Sequence, residues 1–308
     1  MIKRKTKLNI DYTLLLIVFG LLVYGLIALY SASTVKSLND FGSTTYYIRH
    51  QLTNGVIIGL IGMYICSRID YHFWQKRLPW LIIASLVLLF LVKVSGYGTV
   101  AGGAARWLHV GAISFQPSEL AKLAVVLYLA SWVDRKRANF KDFYYDLLPS
   151  LCIVALFAAL ILWQPDLGTM LVLVAVAFAM LFAAGIDWRY FFWSTLAGAL
   201  VLYALVKFEP YRARRLTVFL NPSIDPKGIG YHISQALLAI GSGSLFGYGY
   251  GLSRQKYNYL PETMGDSVFA VTAEELGFVR VTVIILLFAA LAFKGYAIAK
   301  AAPPATVP

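Results

Sequence analysis

The chain has 308 residues, 59% of them hydrophobic and only 14% charged, with a mean hydropathy of +0.69. Soluble domains are roughly 45–50% apolar, so a soluble globular enzyme is excluded. The formal net charge of +12 falls between apolar runs rather than on one face, which fits membrane topology and contact with lipid headgroups and argues against nucleic-acid binding.

Apolar runs recur that are long enough to cross a hydrocarbon core about 30 Å thick, at about 1.5 Å of helix per residue. They predict an all-α fold, a polytopic bundle of about 8 transmembrane helices. The first run, 12–30, follows the basic stretch at 1–7 and lacks an A-x-A cleavage site, so it reads as a retained span. Further spans are predicted at 52–66, 78–94, 117–133, 147–163, 167–184, 191–206 and 268–293. Cys66 and Cys152 lie inside apolar segments without a CxxC or histidine companion and read as packing residues.

Orientation follows from the basic loops. Lys3, Arg4, Lys5 and Lys7 precede the first span, Arg68, Lys76 and Arg77 follow the second, and Arg135, Lys136, Arg137 and Lys141 follow the fourth. Alternation places all three groups on one side, which is then cytoplasmic, with both termini inside. The segments 31–51, 95–116, 164–166 and 207–267 face outward. The last of these carries Lys207, Arg212, Arg214, Arg215, Lys227, Arg254 and Lys256; long loops translocate regardless of charge. Such a surface suits an anionic ligand such as a lipid pyrophosphate, and attraction to anionic headgroups accounts for it equally well. No internal repeat or linker interrupts the chain, which reads as one membrane domain over 1–308.

An ionisable side chain at mid-bilayer costs at least about 2.5–3.5 kcal/mol unless paired or hydrated, so charges in or beside spans are the informative residues. In Arg106-Trp107-Leu108-His109 and the following Gln116-Pro117-Ser118-Glu119-Leu120-Ala121-Lys122, Pro117 fits a first helical turn. Glu119 and Lys122 there share a face and can pair. In Gln164-Pro165-Asp166-Leu167-Gly168-Thr169, Asp166 fits an N-cap, or one wall of a polar cavity shared with Glu119. The glycines at 241, 243, 247, 249 and 251 permit close backbone approach to a ligand but match no phosphate loop. Asp266, where the outward loop enters the last span, is either a cap in competition with Ser267 or a general base whose pKa is raised by partial burial. The four histidines, His50, His72, His109 and His232, show no metal-ligand spacing.

The strings RWLHVGAISFQPSELAKL, QPDLGT, FLNPSIDPKGIGYHISQALLAIGSGSLFGYG and QKYNYLPETMGDSVFAVTAEELGF resemble the SEDS family of shape, elongation, division and sporulation proteins. The resemblance implies a glycosyltransferase that polymerises lipid II on the outer face of the bacterial cytoplasmic membrane. It also implies a class B penicillin-binding protein transpeptidase as partner, within the divisome or elongasome. On the matching motifs it makes Asp266 the base acting on the acceptor sugar and Arg106, Glu119, Lys122 and Asp166 cavity residues. Arg214, Arg215 and Lys256 become pyrophosphate ligands, Glu262 a further substrate-binding residue, and a divalent cation, Mg²⁺ or Mn²⁺, a cofactor with no site legible in the spacing. Tyr30-Ser31-Ala32-Ser33 and Gln255-Lys256 resemble the division branch, whereas His232 leans to the elongation branch.

Three departures stand out. Met264-Gly265-Asp266 replaces a His-Thr-Asp-like triplet, and Arg280 stands inside the last span where glycine is usual, to pair with Glu274 or Glu275 or to snorkel. The family's ten spans exceed the eight expected here, the last two being absent. A flippase for the lipid-linked precursor suits a polar bundle interior equally well, and a non-catalytic scaffold for the transpeptidase suits an expectation of eight spans.

Overall fold

The structure is a computed structural model that describes residues 10–94, 98–101, 104–110, 113–136, 143–226 and 228–301. Lys3, Arg4, Lys5, Lys7, Arg137, Lys141, Lys227 and the proline-rich tail lie outside the described residues. The chain falls into two compact units, one of Met1–Ile58 with Val206–Pro308 and one of Gly59–Leu205.

Every predicted span is helical. In order these are α1 (Tyr12–Phe41), the short α2 (Tyr46–Gln51) running through a π-helical turn (Leu52–Ile57) into α3 (Ile58–Arg68), and α4 (Tyr71–Val94). Next come α5 (Pro117–Lys136), α6 (Leu148–Trp163), α7 (Leu167–Ala183), α8 (Trp188–Lys207), α9 (Pro210–Leu220), α10 (Ile229–Ser242) and α11 (Val268–Ala301). Among the described residues α1, α4, α8 and α11 are long and apolar enough to cross a membrane, and α6 and α7 are shorter apolar helices. The chain is a multi-pass helical membrane protein.

Two predicted outward segments differ from expectation. Helix α1 does not stop at Tyr30: Asp11 caps its start, Oδ1 accepting from the Leu14 amide at 3.0 Å, and it ends only at Gly42, whose φ of 65° closes the last turn on Leu38 O at 2.9 Å. Ser31, Ser33 and Ser37, read as the start of a loop, are buried on the inner face of this extension. The segment 207–267 holds α9, a 3-10 turn (Pro222–Ile224) and α10, and its longest irregular stretch follows Ser242.

In the unit of residues 59–205 the core lies between α4, α5, α6 and α7, with Leu89, Leu129, Phe157, Ile161, Leu173 and Leu181 almost wholly buried. Lipid tails are as apolar as leucine, so burial alone does not hold such helices together; close backbone approach does. The fully buried Ala121, Ala124 and Ala177 provide it. Between α4 and α5 stands a sheet that the sequence reading does not contain, β1 (Gly98–Ala101), β2 (Ala104–Val110) and β3 (Ile113–Phe115). It is antiparallel in the order β1-β2-β3, with a bulge after Thr99 and Leu108 opposite Phe115. Helix α8 buries no residue and exposes Trp188, Trp193 and Tyr203, the surface of a span facing lipid.

In the other unit α11 packs on α1 and α10. The helix is interrupted at Gly277, with φ 75° and ψ 174°.

Candidate functional site

The break in α11 explains why glycines crowd 243–251. Loop backbone enters the interruption: the Tyr248 and Gly249 amides donate to Glu274 O (3.1 Å) and Glu275 O (2.9 Å), and the Phe278 and Val279 amides donate to Ser244 O (2.9 Å) and Leu245 O (3.1 Å). Carbonyls and amides freed by the break are thus satisfied, as apolar surroundings demand. A Cβ on Gly243, Gly247 or Gly277 would collide with backbone of the opposite segment. Gly243 and Gly247 therefore approach α11 rather than a ligand, a correction to the sequence expectation.

Just ahead of the break two adjacent carboxylates are buried, Glu274 at 1% and Glu275 at 2% exposure. Glu274 accepts from the Arg254 amide (3.0 Å), the Gln255 amide (3.3 Å) and Ser253 Oγ (2.5 Å). Glu275 accepts from Ser31 Oγ on α1 (2.7 Å to Oε1), the Ser253 amide (3.3 Å) and Lys256 Nζ (3.0 Å). Lys256 Nζ also donates to Ser31 Oγ at 3.2 Å and Gly251 O at 2.6 Å. An ammonium has three protons, and all three have partners within the protein. Lys256, expected to bind pyrophosphate, has its head only 4% exposed and engaged within the protein, although the residue also lines a cavity beside this loop. Arg280 does not pair with Glu274 or Glu275, a correction to one of the two expectations for it; its Nη1 donates to Phe246 O at 3.0 Å.

From Lys256 the chain runs through turns to α11, presenting Glu262 and Asp266, both exposed. Glu262 takes a left-handed φ of 48°, and its carbonyl accepts from the Gly265 and Ser267 amides at 3.1 and 3.2 Å. Neither candidate side chain caps α11. Ser267 starts the helix through its carbonyl, which accepts from the Val271 amide at 3.1 Å, while its hydroxyl donates to Pro261 O at 2.9 Å and lies 2.6 Å from His232 Nε2. With that hydroxyl proton on Pro261, His232 supplies the shared one. Asp266 has no pairing side chain among the described residues and is not partly buried as expected; it is left open to a ligand.

Beside this loop is a cavity of about 290 Å³, walled by Lys36, Asn39 and Asp40 from α1 and by Asn258, Glu262 and Thr263. Tyr47 donates to Asp40 Oδ2 at 2.9 Å. Burial first, then the Asp40 hydrogen bond and charge, push the Tyr47 phenol up to about 12. On the basic helix α9, Arg214 Nη2 meets Asp225 Oδ2 at 3.0 Å while remaining 65% exposed, and the Arg215 guanidinium lies 4.4 Å from the centre of the Tyr211 ring.

In the unit of residues 59–205 the candidate residues fall into two pairs. Glu119 Oε1 and Lys122 Nζ pair at 2.8 Å across one turn of α5, as their spacing predicts. Asp166 caps α7, accepting from the Thr169 amide at 3.1 Å and Thr169 Oγ1 at 2.8 Å. Arg106, on β2, donates to the carbonyls of Gln164 and Pro165, its Nε lying 3.9 Å from Asp166 Oδ2. Gln164 fixes the turn below, Nε2 donating to Leu89 O at 2.8 Å. Asp166 is thus both the cap and the neighbour of a cation. Among the described residues no group of three or more His, Cys, Asp or Glu is placed to hold a metal ion.

The family model described as "Cell cycle protein", FtsW/RodA/SpoVE, matches residues 12–306. The chain belongs to the FtsW/RodA/SpoVE family. It is 41% identical to stage V sporulation protein E of Bacillus subtilis strain 168 over 297 residues, 96% of this chain and 81% of that protein. It is 38% identical to a probable peptidoglycan glycosyltransferase FtsW of Trichlorobacter lovleyi over 292 residues, 95% and 76% of the two chains. Among solved structures, a chain from work on structural coordination of polymerization and crosslinking by a peptidoglycan synthase complex matches at TM-score 0.76 and 28% identity, covering 96% of this chain and 80% of that one. The rod shape determining protein RodA of Thermus thermophilus matches at TM-score 0.67 and 28% identity, covering 97% and 78%. The FtsW/RodA/SpoVE fold therefore contains both units described above.

The sequence reading missed Ser31, Ser253, Glu274 and Glu275 as a cluster. One signal for it was present: two consecutive glutamates in an apolar span demand partners.

Proposed function

We infer that this chain is a peptidoglycan glycosyltransferase that polymerises lipid II in the bacterial cytoplasmic membrane, with its amino terminus in the cytoplasm. The observation that carries this reading is the 38% identity, over 95% of the chain, to a protein named for that activity. An exposed, unpaired Asp266 at the mouth of α11 is consistent with it. In the proposed reaction the Asp266 carboxylate takes the proton from the 4-hydroxyl of the acceptor sugar. The oxygen then bonds to the anomeric carbon of the donor, whose bond to undecaprenyl pyrophosphate breaks. Arg214 and Arg215, on the exposed face of α9, neutralise the departing pyrophosphate. Glu262, four residues before Asp266, hydrogen-bonds the incoming sugar. Arg106, Glu119, Lys122 and Asp166 are proposed as further substrate-binding residues within their own unit.

Among the described residues no three His, Cys, Asp or Glu are placed to hold a metal ion, so none is assigned to a divalent cation. Charge neutralisation is assigned to the arginines alone. A class B penicillin-binding protein is the proposed partner, in keeping with the structural likeness to a synthase complex that joins polymerization to crosslinking.

The test is incubation of the purified full chain with lipid II, alone and with a class B partner, resolving products by length. Glycan strands from the native chain and none from Asp266→Asn support the reading. Movement of lipid II across vesicles unaffected by Asp266→Asn would favour a flippase. Partner binding without either activity would favour a scaffold.

A further inference from the structure

We propose that Lys256 and Glu275 are positioning residues for the transfer reaction: their buried ion pair, held against Ser31 of α1, fixes the base of the loop that presents Glu262 and Asp266. The inference rests on the glycosyltransferase reading above and adds residues that do not themselves touch substrate.

The geometry points this way for three reasons. First, the loop is held at both ends by one helix. Residues 253–256 are bound to the carboxylates of Glu274 and Glu275, and Ser267, at the far end, begins the helix that carries those carboxylates. The intervening segment 257–266 is a closed excursion that carries Glu262 and ends in Asp266, where the chain enters α11. Second, the closure is made almost wholly of hydrogen bonds to charge, the stronger kind, with both ends of the ion pair under 5% exposed. Third, the network is shared with α1 through Ser31, whose hydroxyl touches both Glu275 oxygens at 2.7 and 2.8 Å. Five residues further along α1, Lys36 begins the opposite wall of the 290 Å³ cavity that Asn258 and Glu262 complete. One ion pair therefore sets both walls. A second ion pair joins the same two helices, Asp11 to Lys294 at 3.0 Å, but it lies at the start of α1 and is about one third exposed. It serves as an internal control, tying α1 to α11 without touching the loop.

The experiment compares Lys256→Met, Glu275→Gln, the double variant and Lys294→Met with the native full chain. Lipid II polymerisation is read as kcat and KM, and amide hydrogen exchange is followed over 254–268, at protein levels corrected for folded fraction. The proposal expects faster exchange at 257–267 and a kcat lowered about 10- to 100-fold with KM changed less than about three-fold, because misplacement acts on the transition state. The double variant should be no worse than the worse single one, Lys256→Arg should recover part of the loss, and Lys294→Met should match the native chain in both readouts. Unchanged exchange at 257–267 in folded Lys256→Met and Glu275→Gln overturns the proposal, whatever the activity. A loss of activity proportional to the unfolded fraction, shared by Lys294→Met, overturns it as well. Native kcat in both single variants while Asp266→Asn is inactive overturns the positioning role and leaves the glycosyltransferase reading standing. If the native chain polymerises nothing, that reading fails, and exchange still decides whether the ion pair orders the loop.

Discussion

The two units carry similar charged residues in opposite settings. In the unit of residues 59–205, Glu119 and Lys122 pair across one helical turn and remain partly exposed, and Asp166 is a helix cap visited by Arg106. In the other unit, Glu274, Glu275 and Lys256 are fully interior and are bonded to residues from α1 and from a loop some twenty positions away. The contrast separates charges that a short stretch of chain can satisfy from charges that only the assembled fold can satisfy. The first kind tolerates removal; the second leaves an unpaired ion in an apolar interior.

That contrast sharpens into graded outcomes. The largest effect belongs to Gly277→Ala, which forces a methyl-bearing residue into a left-handed backbone and against Gly247; a loss of about 2–6 kcal/mol is expected, read as a lowered unfolding midpoint in detergent. Glu275→Ala should follow, at about 3–5 kcal/mol, because it strands the Lys256 ammonium, and Glu275→Ala with Lys256→Met should recover part of that loss in the same assay. Asp166→Ala removes a cap and should cost about 1 kcal/mol, with Asp166→Asn nearly neutral. Lys122→Met should be smallest, within about 0.2–1 kcal/mol, since its pair is half in the open. Equal losses for Glu275→Ala and Lys122→Met would erase the distinction between the regions.

Legibility follows the same line. The spans, the Glu119–Lys122 pair and the Asp166 cap were readable because each depends on spacing of one to four residues or on a long apolar run. The extension of α1 was not readable, because serines look like loop residues although their small hydroxyls fit an inner helix face, as Ser33 and Ser37 do here. The sheet at 98–115 was missed because short strands bounded by glycine carry too little pattern to compete with adjacent spans. The interior bonding of the Lys256 head was not readable because its partner Ser31 lies 225 positions away and no local spacing reports it. Asp266 was singled out by its place at a span entrance, and the structure leaves it exposed there.

In the proposed mechanism Asp266 acts chemically and not as a structural cap. The rate of glycan formation from lipid II by the native full chain, set against Asp266→Asn at matched unfolding midpoint, tests it most directly. A fall of at least about 100-fold with no change in midpoint is expected, as for removal of a general base. Native rates from Asp266→Asn, or a loss of rate that tracks a lowered midpoint, would contradict it.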